Sequence, residues 1–338
     1  MRPLVLAGKS LVWERRGLRR VKDVRPGEQI LHIDRQGSPS WSELRSESLS
    51  RGYGTILDIA SENSEILAVP DCQLCVRKQV LRADNITEDH ELEIFAAPDY
   101  LFQQLDTIQT NTAHEIRLER GVVKATAQNC ELLGVLSQCT RVPALWREGL
   151  MVIRVPTAAL EPALEELKML MPDFRLVGLD QVTCWTYIRF KSENATLARG
   201  IIQSTTFVSD LLRAPYPILH GFACGLLKLR SVRSADQIEI VTGMREINLR
   251  NLLYNLFFAH SVECSMKIVG VEHESSQACI IYVTNSDLGS FYRKGRGSRT
   301  EGAWTRIRRI NIEGGEICDF PTSGESHLSP IVDLALLP

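Results

Sequence analysis

An internal repeat of roughly 90 residues is the feature that most restricts the folds open to this chain of 338 residues. Two short apolar segments, Leu132–Cys139 (LLGVLSQC) and Leu219–Leu226 (LHGFACGL), each carry a glycine among residues that favour a helix. Each segment is followed by the pattern of a strand, a helix and another strand. A pattern that occurs twice predicts a pseudo-two-fold α+β domain at 125–295, with repeats at about 125–205 and 214–295.

The spacing of apolar residues supports both halves of this repeat. In Ala158–Met171 the apolar side chains recur at helical spacing, and Pro172 ends that pattern. Val182–Phe190 then alternates in polarity as a strand does. The second half repeats the order with the predicted strand Ile238–Val241, helix Ile247–Ala259, and strands Met266–Val269 and Ala278–Val283.

Both ends of the chain have the signals of β structure instead. Pro26-Gly27 is a turn that leads into an alternating strand, and many short strands at close spacing predict an all-β module. We therefore expect one β domain built from 1–95 and 300–338, with the repeat inserted into it. The predicted strands are Thr55–Ala60, Glu65–Val69, Trp304–Ile312, Glu316–Phe320 and Ile331–Leu337, with turns at Ser61–Ser64 and Gly314-Gly315.

Charge is segregated along the chain although the net charge is only −2. Residues 1–25 hold eight Lys/Arg against two acids, and 285–309 hold seven against two, so the remainder carries about −13. Such segregation predicts a basic face where the two ends meet. Two solvated basic surfaces with no partner are the alternative.

Composition places the chain among ordinary globular proteins, with 44% hydrophobic and 24% charged residues. No apolar run approaches the roughly 18 residues that span a bilayer, and the apolar stretch near Met1 is too short for a signal peptide. The nine cysteines are an odd number and lie mostly in apolar segments, which is typical of buried free thiols in a reducing compartment. These features predict an intracellular protein, in the cytoplasm, nucleus or an organelle matrix.

This layout resembles an intein with an inserted homing endonuclease of the LAGLIDADG family. The repeated apolar segments are similar to the two central helices of that family. The N-terminal part is similar to the Hint (hedgehog/intein) fold in two stretches, Gly17–Leu31 and Ile66–Val76. Near the other end, Arg308–Phe320 followed by Ser326–Leu328 is similar to the closing intein block. The resemblance implies a Hint-like β domain that carries a double-repeat LAGLIDADG-like domain.

The residues that would carry the chemistry of this family are absent. Splicing needs Cys or Ser at the first residue, where this chain has Met1, and a histidine where Cys72 or Gln73 stands. The family closes with His-Asn, whereas this chain closes with Leu336-Leu337-Pro338. The resemblance therefore implies a protein that does not splice.

DNA cleavage by the family depends on acids that hold Mg²⁺, each five residues after a helix glycine. Counted from Gly134 and Gly221, those positions are Cys139 and Leu226, and neither side chain is a ligand for a hard cation. Substitute acids at Asp180 or Asp236 would be needed for an active nuclease. We expect no enzyme activity, no cofactor and no metal site.

Two further candidate sites have stronger structural explanations. Cys72 and Cys75 form half of a zinc motif without a second close pair of ligands. His90 lies among acids in a stretch that favours a solvated linker. The basic glycine-rich segment Gly295–Arg299 instead favours contact with phosphates, or else a mobile loop.

The sequence thus predicts a non-catalytic protein that binds double-stranded DNA or structured RNA across the sheets of the repeat. Trp185, Tyr187 and the strands near Glu239 and Tyr282 would lie on the reading face. The predicted nucleic-acid-binding residues are Arg15, Arg16, Arg19, Arg20, Arg189, Lys191, Arg293, Lys294, Arg296, Arg299, Arg306, Arg308 and Arg309. Because a DNA binder of this size is usually markedly basic, a protein-interaction or structural subunit of a larger complex is the alternative, and an active endonuclease is a third hypothesis.

Overall fold

The computed structural model has a mixed α+β fold that divides into two compact units. The first unit contains 1–108, 250–267 and 286–338, and the second contains 109–249 and 268–285. The structure describes residues 4–15, 17–33, 39–44, 51–61, 65–77, 79–94, 113–119, 121–140, 151–156, 164–165, 168, 174–180, 185–190, 195–233, 236–243, 247–270, 277–298, 303–320 and 329–330. In this part of the chain no helix is long and apolar enough to cross a membrane.

Two antiparallel sheets lie in the first unit, which also contains the helical residues 250–259 and 286–292. The larger has the strand order β7-β6-β21-β10-β8-β9, with β1 added along β21. The smaller has the order β22-β4-β2-β3, with β5 paired to β4. The strands are β1 (Leu4–Ala7), β2 (Leu11–Glu14), β3 (Gly17–Arg20), β4 (Gln29–Ile33), β5 (Pro39–Glu43), β6 (Arg51–Ser61), β7 (Glu65–Ala68), β8 (Gln73–Val76), β9 (Gln79–Arg82), β10 (Glu91–Ile94), β21 (Ala303–Phe320) and β22 (Ser329–Pro330).

Strand β21 comes from the C-terminal segment and pairs with three strands from the N-terminal segment, β1, β6 and β10. The two ends of the chain therefore contribute strands to one sheet. The predicted strand at 55–60 is confirmed as part of β6, and the predicted strand at 65–69 corresponds to β7, which ends one residue earlier. The predicted final strand Ile331–Leu337 lies outside the described residues.

The predicted turn at Gly314-Gly315 is wrong, because both residues lie within the continuous strand β21. Gly315 pairs with Gly54 of β6, and a Cβ on Gly315 would lie 2.5 Å from Ile56 Cδ1. A Cβ on Gly314 would lie 2.9 Å from the Tyr53 hydroxyl. The glycines therefore leave room for side chains on the neighbouring strand instead of forming a turn.

A repeat within the first unit, with an offset of 62 residues, was not predicted. Strand β2, strand β3 and the 3₁₀ turn Val21–Asp23 have direct counterparts in β8, β9 and the turn Ala83–Asn85. Six main-chain hydrogen bonds of the first copy have a counterpart 62 residues later in the second copy. The matched bonds are Ser10–Ala7 with Cys72–Val69; Val21–Ser10 with Ala83–Cys72; Lys22–Gly8 with Asp84–Pro70; Val24–Val21 with Ile86–Ala83; Glu28–Arg25 with His90–Thr87; and Arg15–Gln29 with Arg77–Glu91. Matched hydrogen bonds across two segments indicate two copies of one supersecondary unit.

The two copies share one apolar core. Equivalent positions are buried in both, as with Val12 and Leu74 or Ile30 and Leu92. The predicted turn at Pro26-Gly27 is confirmed, and the φ of +84° at Gly27 is one that glycine adopts at little cost.

The second unit contains a different repeat, made of helices and four-stranded sheets. The sheets have the orders β13-β14-β16-β15 and β17-β18-β20-β19, so the same strand order occurs twice along the chain. A β-hairpin of β11 and β12 precedes them. The strands are β11 (His114–Leu118), β12 (Gly121–Ala125), β13 (Cys139–Thr140), β14 (Met151–Pro156), β15 (Phe174–Asp180), β16 (Trp185–Phe190), β17 (Ser231–Arg233), β18 (Gln237–Gly243), β19 (Cys264–Gly270) and β20 (Gln277–Thr284).

Helices connect these strands and cross the unit boundary at two points. They are α1 (Cys130–Leu136), α2 (Ala195–Gln203), α3 (Phe207–Leu211), α4 (Tyr216–Arg230), α5 (Ile247–Ala259) and α6 (Asn285–Tyr292). The bounds of α5 agree with the predicted helix, and the predicted strands at 238–241, 266–269 and 278–283 are confirmed as parts of β18, β19 and β20. Of the predicted strand 182–190, residues 185–190 form β16, and 182–184 lie outside the described residues. Most of the predicted helix Ala158–Met171 lies outside the described residues.

Candidate functional site

Helices α1 and α4 lie against each other through glycines, where their main chains touch directly. A Cβ on Gly134 of α1 would collide with the Phe222 carbonyl oxygen and lie 2.8 Å from the Leu226 nitrogen. A Cβ on Gly225 of α4 would collide with the Glu131 carbonyl oxygen. Only glycine permits this separation, because any side chain would have to occupy space that the other main chain fills.

These contacts define a two-fold register between the helices. Gly134 of α1 contacts Phe222 of α4, and Gly225 of α4 contacts Glu131 of α1. The two glycines are 91 residues apart in the sequence, and so are the two residues that they contact. One two-fold relation therefore matches both contacts. Gly225 is therefore the counterpart of Gly134 in this register. The sequence had suggested Gly221 instead, four residues earlier.

This register also changes which residue lies five positions after the second glycine. Five residues after Gly225 is Arg230, the last residue of α4. The sequence had suggested Leu226, which is buried and whose nitrogen faces Gly134 in the middle of the helix crossing. In the first repeat Cys139 keeps its place, but it begins β13 instead of ending a helix.

The local sequence explains why α4 begins and ends where it does. Pro215 precedes the helix with an extended conformation, and Pro217 in the first turn needs no amide partner. Lys228 and Arg230 lie in the last turn, where cations are favoured by the helix dipole.

Both cations of the last turn are held by polar groups. Lys228 forms an ion pair with Glu131 of α1. Arg230 Nε donates to Gln138 Oε1, just beyond α1. Arg230 Nη1 donates to the Val241 carbonyl at 3.1 Å. The ends of the two helices are thus joined by a charged pair and a guanidinium network.

This arrangement places two cations at the C-terminal end of α4. Glu131 is the acid beside these cations and is engaged by Lys228. Asp236, a predicted substitute acid, is exposed ahead of β18, and for Asp180 only the main chain is described. Within the described residues, no three His, Cys, Asp or Glu side chains are grouped as metal ligands would be.

The predicted cations near the N-terminus lie around β2 and β3 in the first unit. Arg15 is exposed and donates to Gln29 Oε1 at 2.7 Å. Arg19 is largely buried between two carboxylates, with Glu14 at 3.7 Å and Glu28 at 3.9 Å. Its charge is therefore offset within the fold and less available to a phosphate. Arg20 is half-buried, and Arg16 lies outside the described residues.

The predicted cations near the C-terminus differ in exposure. Arg306 and Arg308 of β21 are exposed, and Arg308 is the extra residue of a bulge where β21 pairs with β6. Arg309 is half-buried and pairs with Asp58 at 3.0 Å. Arg293, Lys294 and Arg296 are exposed in the segment after α6. Lys191 and Arg299 lie outside the described residues, and of Arg189 only the main chain in β16 is described.

Cys72, at the degenerate splicing position, is part of a symmetric pair of hydrogen bonds. Its thiol donates to the Val5 carbonyl at 3.4 Å, and the equivalent Ser10 hydroxyl donates to the Leu67 carbonyl at 3.3 Å. Burial raises the pKa of the Cys72 thiol, and Asp71 raises it further, against a main-chain hydrogen bond at Val69 that lowers it. A protonated buried thiol is a poor nucleophile and a poor metal ligand, so its position indicates a structural role. Met1 lies outside the described residues.

Three other candidate residues, His90, Gln73 and Cys75, differ in their surroundings. His90 Nδ1 accepts from the Thr87 amide at 3.0 Å, which closes a turn before β10. Gln73 is exposed beside the buried Cys72, and the side chain of Cys75 is not described.

Arg230 is the residue of this site that sequence reasoning missed. Counting five residues from Gly225 gives Arg230, just as counting from Gly221 gives Leu226. Because two glycines four residues apart lie on the same helix face, the sequence alone does not choose between them. Asp287 and His260, which hold the basic segment after α6, were missed because no motif identifies them.

Comparison with known proteins adds little to these geometric findings. No model of a known protein family matches the chain, and no curated protein matches it. Among solved structures, the solution NMR structure of the DnaX mini intein from Spirulina platensis is similar over 36% of this chain and 74% of that chain. Its TM-score is 0.22 and its sequence identity is 16%.

Proposed function

We propose that the chain is a non-catalytic nucleic-acid-binding protein derived from an intein-type LAGLIDADG homing endonuclease. The observation that carries this proposal is the glycine-packed pair α1 and α4, followed in each half by a sheet of the same strand order. The scaffold of such a nuclease requires this pairing, whereas cleavage requires acids at the helix ends. This chain has Arg230 at one of those ends.

The chemistry at the helix ends supports binding without cleavage. Two-metal cleavage needs carboxylates that hold cations beside the scissile phosphate. A guanidinium repels a divalent cation and attracts a phosphate, so the position of Arg230 opposes the first interaction and favours the second. The neighbouring Lys228–Glu131 pair leaves no excess of negative charge to offset it.

The sheets supply an extended surface on which bases and phosphates are read. In the first half, Trp185, Tyr187 and Arg189 occur at alternate positions of β16. In the second half, Tyr282 of β20 pairs in register with Glu239 of β18, and burial and then the Glu239 charge raise the Tyr282 pKa. The phenol therefore stays neutral at physiological pH and is able to donate a hydrogen bond to a base edge or phosphate.

A binding titration tests the proposal. Labelled duplex DNA and a structured RNA are titrated with purified protein at several salt concentrations, with Mg²⁺ present and the products run on a gel. A protein with 6–10 phosphate contacts loses roughly 10³–10⁵ in affinity between 50 and 200 mM salt. Arg189→Gln should weaken binding, whereas Arg117→Gln, on the exposed hairpin strand β11, is the matched control.

The outcomes separate the three hypotheses. Intact nucleic acid and a steep salt dependence support the proposal, and a Mg²⁺-dependent product contradicts its non-catalytic part. No binding at low salt contradicts the proposal as a whole.

A protein-interaction role is the second candidate, and one observation favours it. Tyr53 and Ile312 are 78% and 75% exposed on the paired strands β6 and β21. Exposed apolar side chains on a paired ribbon are typical of surfaces that contact another protein. If nucleic acid does not bind, purification of the protein with its cellular partners, compared with a Tyr53→Ser and Ile312→Ser variant, becomes the decisive measurement.

A further inference from the structure

The short basic segment Arg293–Ser298, between α6 and β21 in the first unit, is held rigidly although its cationic side chains face solvent. Three of its first four residues are Arg293, Lys294 and Arg296, and all three side chains are exposed. Exposed basic loops are ordinarily mobile, so the hydrogen bonds that hold this one need an explanation.

Asp287 in the first turn of α6 fixes the end of the segment. It is 2% exposed, and its Oδ1 accepts from the Ser298 amide at 2.7 Å while its Oδ2 accepts from the Ser298 hydroxyl at 2.8 Å. The Glu263 amide donates to Oδ2 at 3.4 Å. A buried carboxylate with several donors is tightly placed, because losing any one donor leaves charge without compensation.

His260 fixes the middle of the segment from the other side. The ring is fully buried, and Nδ1 lies 2.7 Å from the Gly295 carbonyl, which only accepts, so Nδ1 carries the proton. The Gly297 amide donates to the His260 carbonyl at 2.7 Å. The ring also packs edge-on against Phe291 of α6, with centroids 5.0 Å apart.

The glycines of the segment permit this close placement. A Cβ on Gly297 would lie 2.6 Å from the Ser261 carbonyl oxygen and 2.7 Å from the Val262 Cα. Any larger residue at Gly297 must therefore push the segment away from its support. The Gly295 amide donates to the Ser290 carbonyl at 2.7 Å, which ties the segment to α6 as well.

We infer that Arg293–Ser298 is a preorganised phosphate-binding loop that contacts the backbone of a nucleic acid, with Asp287 and His260 as positioning residues. The inference rests on the proposed function and names a contact surface in the first unit, apart from the sheets of the second. Cations held on a rigid loop bind with less loss of conformational entropy than cations on a mobile one. Phosphate contacts of this kind fix register without reading sequence. The exposed carboxylate of Glu263 lies on the segment that supports the loop, and it offsets part of the charge.

Removal of the three charges tests the surface. The variant Arg293→Gln, Lys294→Gln, Arg296→Gln is compared with Arg25→Gln, Arg51→Gln, Arg117→Gln, which removes three exposed arginines elsewhere. The salt slope on duplex DNA should fall by about 0.9 for each phosphate that the loop no longer neutralises, or about 2.7 in all, and affinity should fall on the order of 100-fold. The control triple variant should change the slope much less.

A variant that moves the loop without changing its charge tests the positioning. Gly297→Ala should weaken duplex binding by about three- to tenfold. Gly289→Ala is the control and should not weaken binding, because a Cβ on Gly289 would meet only the flexible end of Arg293 at 3.7 Å. In the charge-removed background Gly297→Ala should have no further effect. A general loss of stability would weaken binding equally in both backgrounds, so this double-mutant cycle isolates placement of the loop.

The outcomes distinguish this inference from the proposed function. Duplex binding with an unchanged slope in the charge-removed variant overturns the loop while the proposed function stands. Binding of heparin that depends on the loop, without binding of duplex DNA or structured RNA, supports the loop as a polyanion site and overturns the proposed function. No binding to any of these polyanions overturns both.

Discussion

Replacing Gly225 by alanine tests the closest approach between α1 and α4. The added Cβ would lie 2.8 Å from the Glu131 carbonyl carbon and would collide with the oxygen of the same group. Since ordinary contacts of a Cβ begin near 3.4 Å, the α1 main chain must retreat by at least about 0.6 Å. A main chain cannot relieve the collision by changing rotamer, so the whole helix has to move.

The expected loss of stability follows from two opposing effects. Overpacking of a tight core costs about 1–3 kcal/mol, and the upper part of this range applies where the obstacle is main chain. Alanine in place of glycine returns up to about 1 kcal/mol through helix propensity. We expect a net loss of about 2 kcal/mol, which corresponds to about 1 M in the urea midpoint.

Urea unfolding monitored by circular dichroism measures this loss, with Gly200→Ala of α2 as the matched control. A Cβ at Gly200 would meet only the Leu118 Cδ1 atom, at 2.9 Å, which is the movable end of a side chain. Gly134→Ala combined with Gly225→Ala should cost less than the sum of the two, because each change separates the same pair of helices. Equal midpoints for Gly225→Ala and Gly200→Ala would refute the two-fold register and the assignment of Arg230.

Four further measurements address individual residues. The raised pKa of buried Cys72 should make thiol labelling slower in the folded protein than in the unfolded one at pH 8. The contribution of the protonated thiol to the stability of the fold is present below the unfolded pKa of about 8.5 and is lost as pH rises through the folded pKa. Cys72→Ser keeps a donor to the Val5 carbonyl and should be more stable than Cys72→Ala by about 1 kcal/mol, so equal stabilities would argue against that bond. A hydrogen bond from Lys22 holds the pKa of Glu316 below its ordinary value, so Lys22→Met should raise that pKa in an NMR titration. The contribution of this pair to the stability of the fold is present above the unfolded pKa and is lost as pH falls through the folded pKa. An unchanged Glu316 pKa in the variant would contradict the pair. Arg230→Met should cost about 1–2 kcal/mol in urea unfolding, and no loss would mean that the guanidinium network does not join the helix ends.

Much of the element order was predictable because local patterns carry it. The bounds of α5 follow from its apolar periodicity, and the strands of the second repeat follow from alternation. The pairing of both chain ends in one β unit also follows from where the β signals lie.

The repeat in the first unit was not predictable from the same patterns. Between 10–32 and 72–94 the identical pairs are Arg15/Arg77 and Arg20/Arg82. The equivalence resides in main-chain hydrogen bonds, which many side chains are able to accompany. The reciprocal bonds of Ser10 and Cys72 likewise appear only once the two copies are brought together.

The sequence by itself determined many of the element types, the mixed α+β class and the segregation of charge. Tertiary structure decided that Gly314-Gly315 continues a strand, that Gly225 and not Gly221 is the counterpart of Gly134, and that Arg230 stands at the helix end. The physical reason is that a glycine serves a turn, a flexible point or a close approach equally well when considered alone. Which of these it serves depends on the atoms that a distant segment places against it.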